Sequence, residues 1–474
     1  MARALFVGPL VVSLAIGALA ASASAGCGGS TPDSGFSPDG DGGAGGDGNG
    51  GSSGGPTDGS GPVFGGGDST APPSCVNLQC SQVACPAGKT TSLSGRVITG
   101  GAAAYGPPDP VYNAIVYVPN TKPDPFTPGA SCDKCGAPAS GNPITTALSG
   151  FDGKFTLPNV PVNVDIPLVI QVGRWRRQIV VPKVTTSCTD TALTAEQTRL
   201  PRNQKDGDIP LHAIASSTYD PEECILRKMG VDDAEFTSPD KGGRVHLYTS
   251  TGAQASTRTD SSQLWADLPT LMKYDIVLFP CDSLPSTNTA AVYKSIVDYT
   301  SAGGRMFATD LSSPWIESAP SPFPQTVQWV TWGPTSNPLP SKIDMSFPKG
   351  SAMAQWLQGI GATTTLGDIT LNETYHVVTA VNAPTSRWLY SESPATLQTF
   401  SFNTPVGVDD KQQCGRVAYS NFHIASGGGG GTYPTECTSG PLTPQEKVME
   451  FMLLDLASCV QTDTVPPQPP PVVK

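Results

Sequence analysis

The first chemistry that this chain of 474 residues could hold is a thiol beside an imidazole. Cys281 follows the apolar run Tyr274-Asp275-Ile276-Val277-Leu278-Phe279 after a single proline. A strand ending there places the thiol at the carboxyl edge of a sheet, where α/β proteins bind their ligands. A thiolate at such a place needs a base close by, and His423 is the candidate. Pro280 stiffens the approach to the turn, so a structural or disulfide-bonded Cys281 carries more weight than a nucleophile.

Two further clusters could do chemistry. Cys132-Asp133-Lys134-Cys135 reads as a structural bridge, with a redox pair or half of a zinc site as alternatives. Its Gly- and Pro-rich surroundings lack the helix start of a thioredoxin-like motif, and no second matching pair accompanies it. In Gly173-Arg174-Trp175-Arg176-Arg177-Gln178, a strand would put Arg174 and Arg176 on one face and Trp175 on the other. Arg174, Trp175 and Arg176 are therefore a candidate binding strip for an acidic glycan or lipid head group. A solvated outer face with Trp175 capping a sheet is the plainer alternative.

Composition sets the compartment. Charged residues are 14%, Gly and Pro number 52 and 47, and there are 12 Cys, a mixture unlike a cytosolic metabolic enzyme. The net charge of −12 is concentrated in part in residues 28–74, which hold six Asp and no Lys, Arg or Glu. The remainder is mildly acidic, and a phosphate-neutralising surface needs clustered Lys and Arg, which this chain has only once, at Arg174, Arg176 and Arg177, so no nucleic-acid partner is expected.

Residues 1–26 follow the plan of a secretory signal: Arg3, an apolar run from Ala4 to Ala20, then small residues to Ala25-Gly26-Cys27. That ending resembles a bacterial lipobox, although Ser24 stands where Leu is usual. The resemblance implies acylation of Cys27 and a membrane partner through the lipid, at the outer membrane or cell surface, with plain secretion as the alternative. Residues 27–74 contain 18 Gly after Cys27 and read as a disordered tether. Residues 463–474 form a Pro-rich tail expected in solvated polyproline II.

Two folded regions lie between. Residues 75–206 carry short β-rich segments separated by Gly, Pro and Asn, the spacing of a small all-β sandwich. Residues 207–462 alternate strands (243–248, 274–279, 304–309, 415–422) with helices (262–273, 290–300, 352–360), the rhythm of a doubly wound α/β domain. Hairpins are expected at 386–390 and at 399–402. The last helix has the plainest start, with Thr443 as N-cap, Pro444 at the first position and Glu446 completing a capping box.

In the first region, Ser94-Gly95-Arg96-Val97, Asn113–Val118, Asp152-Gly153 and Leu157-Pro158-Asn159-Val160-Pro161 resemble the carboxypeptidase regulatory-like, or transthyretin-like, domain. That likeness implies a seven-stranded sandwich serving as spacer or binding module. It does not imply peptidase chemistry, since all four His lie after residue 211 and none heads a His-x-x-Glu pair. In the second region, Tyr274–Phe279, Gly303–Phe307 and Gly415–Tyr419 with His423 resemble the class I glutamine amidotransferase-like fold, close to its ThuA-like branch. This implies a flavodoxin-like sheet with a Cys-His-Glu triad. Asp310 stands about where the nucleophile belongs, His423 matches the late His, and Ala425 takes the place of the acid, so the triad is broken.

Cysteine parity gives a further expectation. Without Cys27, six Cys lie in the first region and five in the second; bridges kept within regions leave one thiol free, with Cys281 as the candidate. The function expected is that of a non-catalytic envelope lipoprotein that binds or scaffolds envelope proteins or glycans, with no cofactor and no metal. The alternative is a hydrolase using Cys281 and His423, with Asp310, in a degenerate amidotransferase-like site.

Overall fold

The computed structural model describes residues 75–101, 103–250, 259–285, 289–424 and 432–472. The expected signal, tether, Cys27 and Ala425 lie outside them. The described chain is a mixed α/β structure with seven α-helices among the described residues.

The first region forms two sheets. Five antiparallel strands run in the order Pro143–Leu148, Ile115–Pro119, Ile166–Val172, Trp175–Val181 and Gly207–Asp208. Three more, Lys154–Pro158, Ser92–Arg96 and Asp190–Ala192, make the second. Alternation aims Phe155 and Leu157 inward, where they share a hydrophobic cluster with Val116, Val118, Leu168 and Ile170.

The second region is organised by six parallel strands in the spatial order Phe236–Thr237, Val245–Thr249, His212–Ser216, Ile276–Phe279, Arg305–Thr309 and Gly415–Ser420. Leaving out the two-residue edge strand and counting along the chain from His212, the order is 2-1-3-4-5. The antiparallel strands Ala395–Thr404, Ser386–Glu392, Leu339–Ile343 and Asp368–Leu371 extend the sheet beyond Gly415–Ser420. The sheet is buried on both faces, as parallel sheets must be. Successive residues go to opposite cores: Ile214, Leu278 and Phe307 join one cluster with the helices Pro348–Gly359 and Pro444–Ala457. Ala213, Val277, Phe279 and Met306 join another with Tyr293, Ile296 and Trp315. The first of these clusters is continuous with the core of the first region.

That continuity corrects several expectations. Arg174, Trp175 and Arg176 are buried, not a surface strip. Arg174 reaches across to Asp275 at 2.8 Å, and Arg176 holds Asp208 at 2.9 Å and lies 4.0 Å over the Phe126 ring. Gly173, at the turn before them, has φ of +53°, and a Cβ there would sit 1.7 Å from the carbonyl oxygen of Ala457, so the hairpin tip can meet the end of the last helix only as glycine. The helix expected over 262–273 shrinks to Leu268–Leu271, because the Asp267 side chain caps it and Pro269 stands in its first turn. The central strand His212–Ser216 was not foreseen. The two expected hairpins are one, formed by Ser386–Glu392 against Ala395–Thr404.

Bridges do not stay within regions. Cys75–Cys80 and Cys85–Cys188 close inside the first, and Cys224–Cys437 inside the second. Cys132 and Cys135 bond not to each other but to Cys414 and Cys459. Cys281 is the free thiol among the described residues, as parity suggested. The Pro-rich tail is docked and not wholly solvated: Thr146 donates to the carbonyl of Pro470 at 2.7 Å, and Asp463 is buried in a charge cluster.

Candidate functional site

Strand order decides what meets at the carboxyl edge. The chain reverses its direction of travel across the sheet between His212–Ser216 and Ile276–Phe279, and open α/β sheets leave a crevice at such a point. The turns after four neighbouring strands supply Asp220, Cys281, Asp310 and His423. A short polar net fixes the Cys281 turn: Ser283 Oγ donates to the Ala215 carbonyl at 2.6 Å, Ser312 Oγ to the Pro280 carbonyl at 2.6 Å, and Trp315 Nε1 to the Ser283 carbonyl at 2.6 Å.

Asp310 is the hub. Its Oδ2 accepts from the Cys281 thiol at 3.4 Å and lies 2.8 Å from His423 Nε2. Its Oδ1 accepts from Trp332 Nε1 at 2.9 Å, and its carbonyl accepts from the Tyr419 hydroxyl at 2.8 Å. The residue takes φ of +40°, a left-handed conformation that Asp tolerates better than most but that costs energy unless the surroundings hold it. Behind it, Asp220 accepts from Thr309 Oγ1 at 2.5 Å and from the Ile424 amide at 2.9 Å. All four are buried, with Asp310 1% and His423 8% exposed.

An antiparallel pair outside the main sheet, Val327–Pro334 with Tyr375–Val381, covers the cluster. Trp332 stacks on Tyr375 at 5.0 Å, and Tyr375 lies 5.4 Å from the His423 ring. Trp332 is 41% exposed, so one side of this aromatic cover faces solvent. Glu373, also at positive φ, sits 3.9 Å from His423 Nδ1.

The electrostatics follow from burial and carboxylates. Burial, with the charges of Asp310 and Asp220, pushes the Cys281 thiol far above its ordinary range, so it is a neutral donor. Burial alone would lower the His423 pKa, but the hydrogen bond to Asp310 and the charges of Asp220 and Asp310 outweigh it and raise it. The Asp220 carboxyl is raised by burial, against the opposing pull of His423 and Thr309.

The structure thus brings together Cys281, Asp310 and His423, and leaves Arg174, Trp175 and Arg176 at the opposite end of the sheet, beside Asp275 at the start of the Ile276–Phe279 strand. Asp220, Trp332, Tyr375 and Glu373 were missed. The apolar run Ala213-Ile214-Ala215 was the available signal for Asp220; the covering pair had none beyond its aromatic content.

Glu222 adds a test. Both its carboxyl oxygens are buried without a hydrogen-bond partner among the described residues, and burial, Asp220 and Glu223 raise its pKa well above the ordinary 4.5. The folded state therefore holds a proton that the unfolded chain releases above about pH 4.5, and this residue's contribution falls as pH rises from there. Glu222→Gln should match the parent in acid and be the more stable protein at pH 7, read as a higher urea midpoint.

No family profile and no curated protein matches the chain. Among solved structures it is similar to a putative ThuA-like protein from Bacteroides uniformis, with a TM-score of 0.28 and 11% identity over 52% of this chain and 89% of that one. The reading of the site therefore rests on its geometry.

Proposed function

We propose that this is an exported, non-catalytic binding protein whose α/β half presents a ligand site at the carboxyl edge of its sheet. The observation that carries the reading is the position of Asp310 between the thiol and the imidazole. A cysteine nucleophile needs its base to take the thiol proton and an acid behind that base. Here a carboxylate accepts the thiol proton's hydrogen bond and holds the thiol neutral, which disfavours the alternative of a hydrolase using Cys281 and His423.

The 2-1-3-4-5 strand order supports a flavodoxin-like, degenerate amidotransferase-like domain. The two sheets of the first region support a transthyretin-like sandwich serving as a binding module or spacer. Five disulfides are compatible with an oxidising compartment, and no helix among the described residues is long and apolar enough to cross a membrane. Attachment through acylated Cys27, with envelope proteins or glycans as partners, completes the proposal.

Native protein at pH 7.5 should alkylate at Cys281 far more slowly than the unfolded chain, and should release no ammonia from glutamine. Rapid alkylation, together with ammonia release abolished in Cys281→Ala, would establish the hydrolase instead.

A further inference from the structure

We infer that Cys281, Asp310 and His423 form a binding site for a divalent transition metal of the zinc type. The inference rests on the reading of this cluster as a ligand site and not a nucleophile–base pair, and it names what the site takes.

The donor atoms, one sulfur, one carboxylate oxygen and one imidazole nitrogen, lie within 4.8 Å of one another. Zinc bonds of roughly 2.0–2.3 Å in a tetrahedron space their donors about 3.3–3.7 Å apart. The sulfur–oxygen separation of 3.4 Å already fits, and the nitrogen–oxygen separation of 2.8 Å needs to open by less than an ångström.

The outer contacts of Asp310 resemble those of a metal site, and a carboxylate stands near the other nitrogen of His423. A ligating carboxylate is commonly hydrogen-bonded through its other oxygen, and a ligating histidine commonly turns its other nitrogen to a carboxylate. Trp332 Nε1 engages Asp310 Oδ1 and leaves Oδ2 aimed at the other two donors. Glu373 stands 3.9 Å from His423 Nδ1 and leaves Nε2 facing inward. The Tyr419 hydroxyl holds the left-handed backbone of Asp310 in place. These contacts engage atoms of Asp310 and His423 other than the two that would bind the ion.

The chemistry of the donors selects the ion. Thiolate and imidazole favour zinc or cobalt over magnesium or calcium, which take oxygen ligands. Binding exchanges the thiol proton for the metal and releases it to solvent, and the thiolate and carboxylate together balance the two charges of the ion. Three protein ligands leave a fourth position for water or an oxygen of a bound partner. No spacing motif marks the set, because its members are 29 and 113 residues apart and come from the ends of three strands.

The test uses the mature, disulfide-intact protein stripped with a chelator and titrated with cobalt. One equivalent should produce a thiolate-to-cobalt charge-transfer absorption in the near ultraviolet. Zinc should displace it and should also slow alkylation of Cys281. Cys281→Ser should abolish the absorption, and Trp332→Phe, which leaves all three donors, should weaken zinc binding about tenfold. If the parent shows neither the absorption nor zinc protection of Cys281, the metal assignment is wrong, with slow alkylation in the absence of metal still leaving the binding reading intact. Fast alkylation with glutamine turnover would instead overturn the binding reading.

Discussion

Asp463→Asn should destabilise the protein by about 3–5 kcal/mol at neutral pH, because it strips one partner from a buried group of four charges. Lys349 Nζ lies 2.7 Å from Asp455 and 3.2 Å from Asp463, and Arg416 lies 3.0 Å and 2.9 Å from the same two carboxylates. All four side chains are at most 6% exposed. Two cations and two anions cancel, and removing one anion leaves a buried positive charge. Burial opposes ionisation of Asp463, but Arg416 and Lys349 outweigh it and hold the carboxyl far below its ordinary 3.8. A depressed carboxylate stabilises the fold above the unfolded value and loses that contribution as pH falls through the folded value. Parent and variant should therefore differ most at neutral pH, and the difference should begin to shrink only as pH falls below about 4 and go on shrinking toward the folded value, measured as urea midpoints. An unchanged midpoint at pH 7 would mean that the group contributes nothing net.

Much of the α/β half was legible in the sequence. Ile276–Phe279 and Arg305–Thr309 read as strands because a sheet covered on both faces needs continuous apolar runs. The Thr443 capping box announced the last helix, where the side chains of Thr443 and Glu446 each accept from the other's backbone amide. His212–Ser216 escaped because its centre is two alanines around one isoleucine, flanked by histidine and serine, too small and too polar to stand out. Trp175 and Arg176 do lie on a strand, with Arg176 opposite Gln171 in its ladder, whereas Arg174 belongs to the turn before it. What covers that strand is a tertiary fact, and alternation within one strand does not contain it.

The site divides the same way. Cys281 and His423 were found because each follows a strand that the apolar pattern revealed, and Asp310 because the resemblance drew attention to the end of the third expected strand. Their meeting depends on strand order, which places the ends of Ile276–Phe279, Arg305–Thr309 and Gly415–Ser420 side by side although the last strand is more than a hundred residues later. The covering residues Trp332 and Tyr375 come from a pairing whose register is irregular, with shifts around Trp329, and irregular pairing leaves no period to read; Glu373 stands in the turn just before it.

The second large effect should come from the bridges between regions. Cys132–Cys414 and Cys135–Cys459 span 282 and 324 residues, whereas Cys75–Cys80 spans five. A cross-link removes more freedom from the unfolded chain the longer the loop that it closes. Replacing Cys132 and Cys414 together by Ala should cost about 2–5 kcal/mol, and replacing Cys75 and Cys80 on the order of 2 kcal/mol or less. The native contacts offer a second reason for the difference. The loop carrying Cys132 also gives Ser131 and Thr127 to Arg174, which anchors the first region to Asp275. Loss of that bridge should therefore expose the loop to protease cleavage before the rest of the chain unfolds. Equal losses in the two variants would show that loop length does not govern the effect here, and that the long bridges record a proximity which the shared hydrophobic core already enforces.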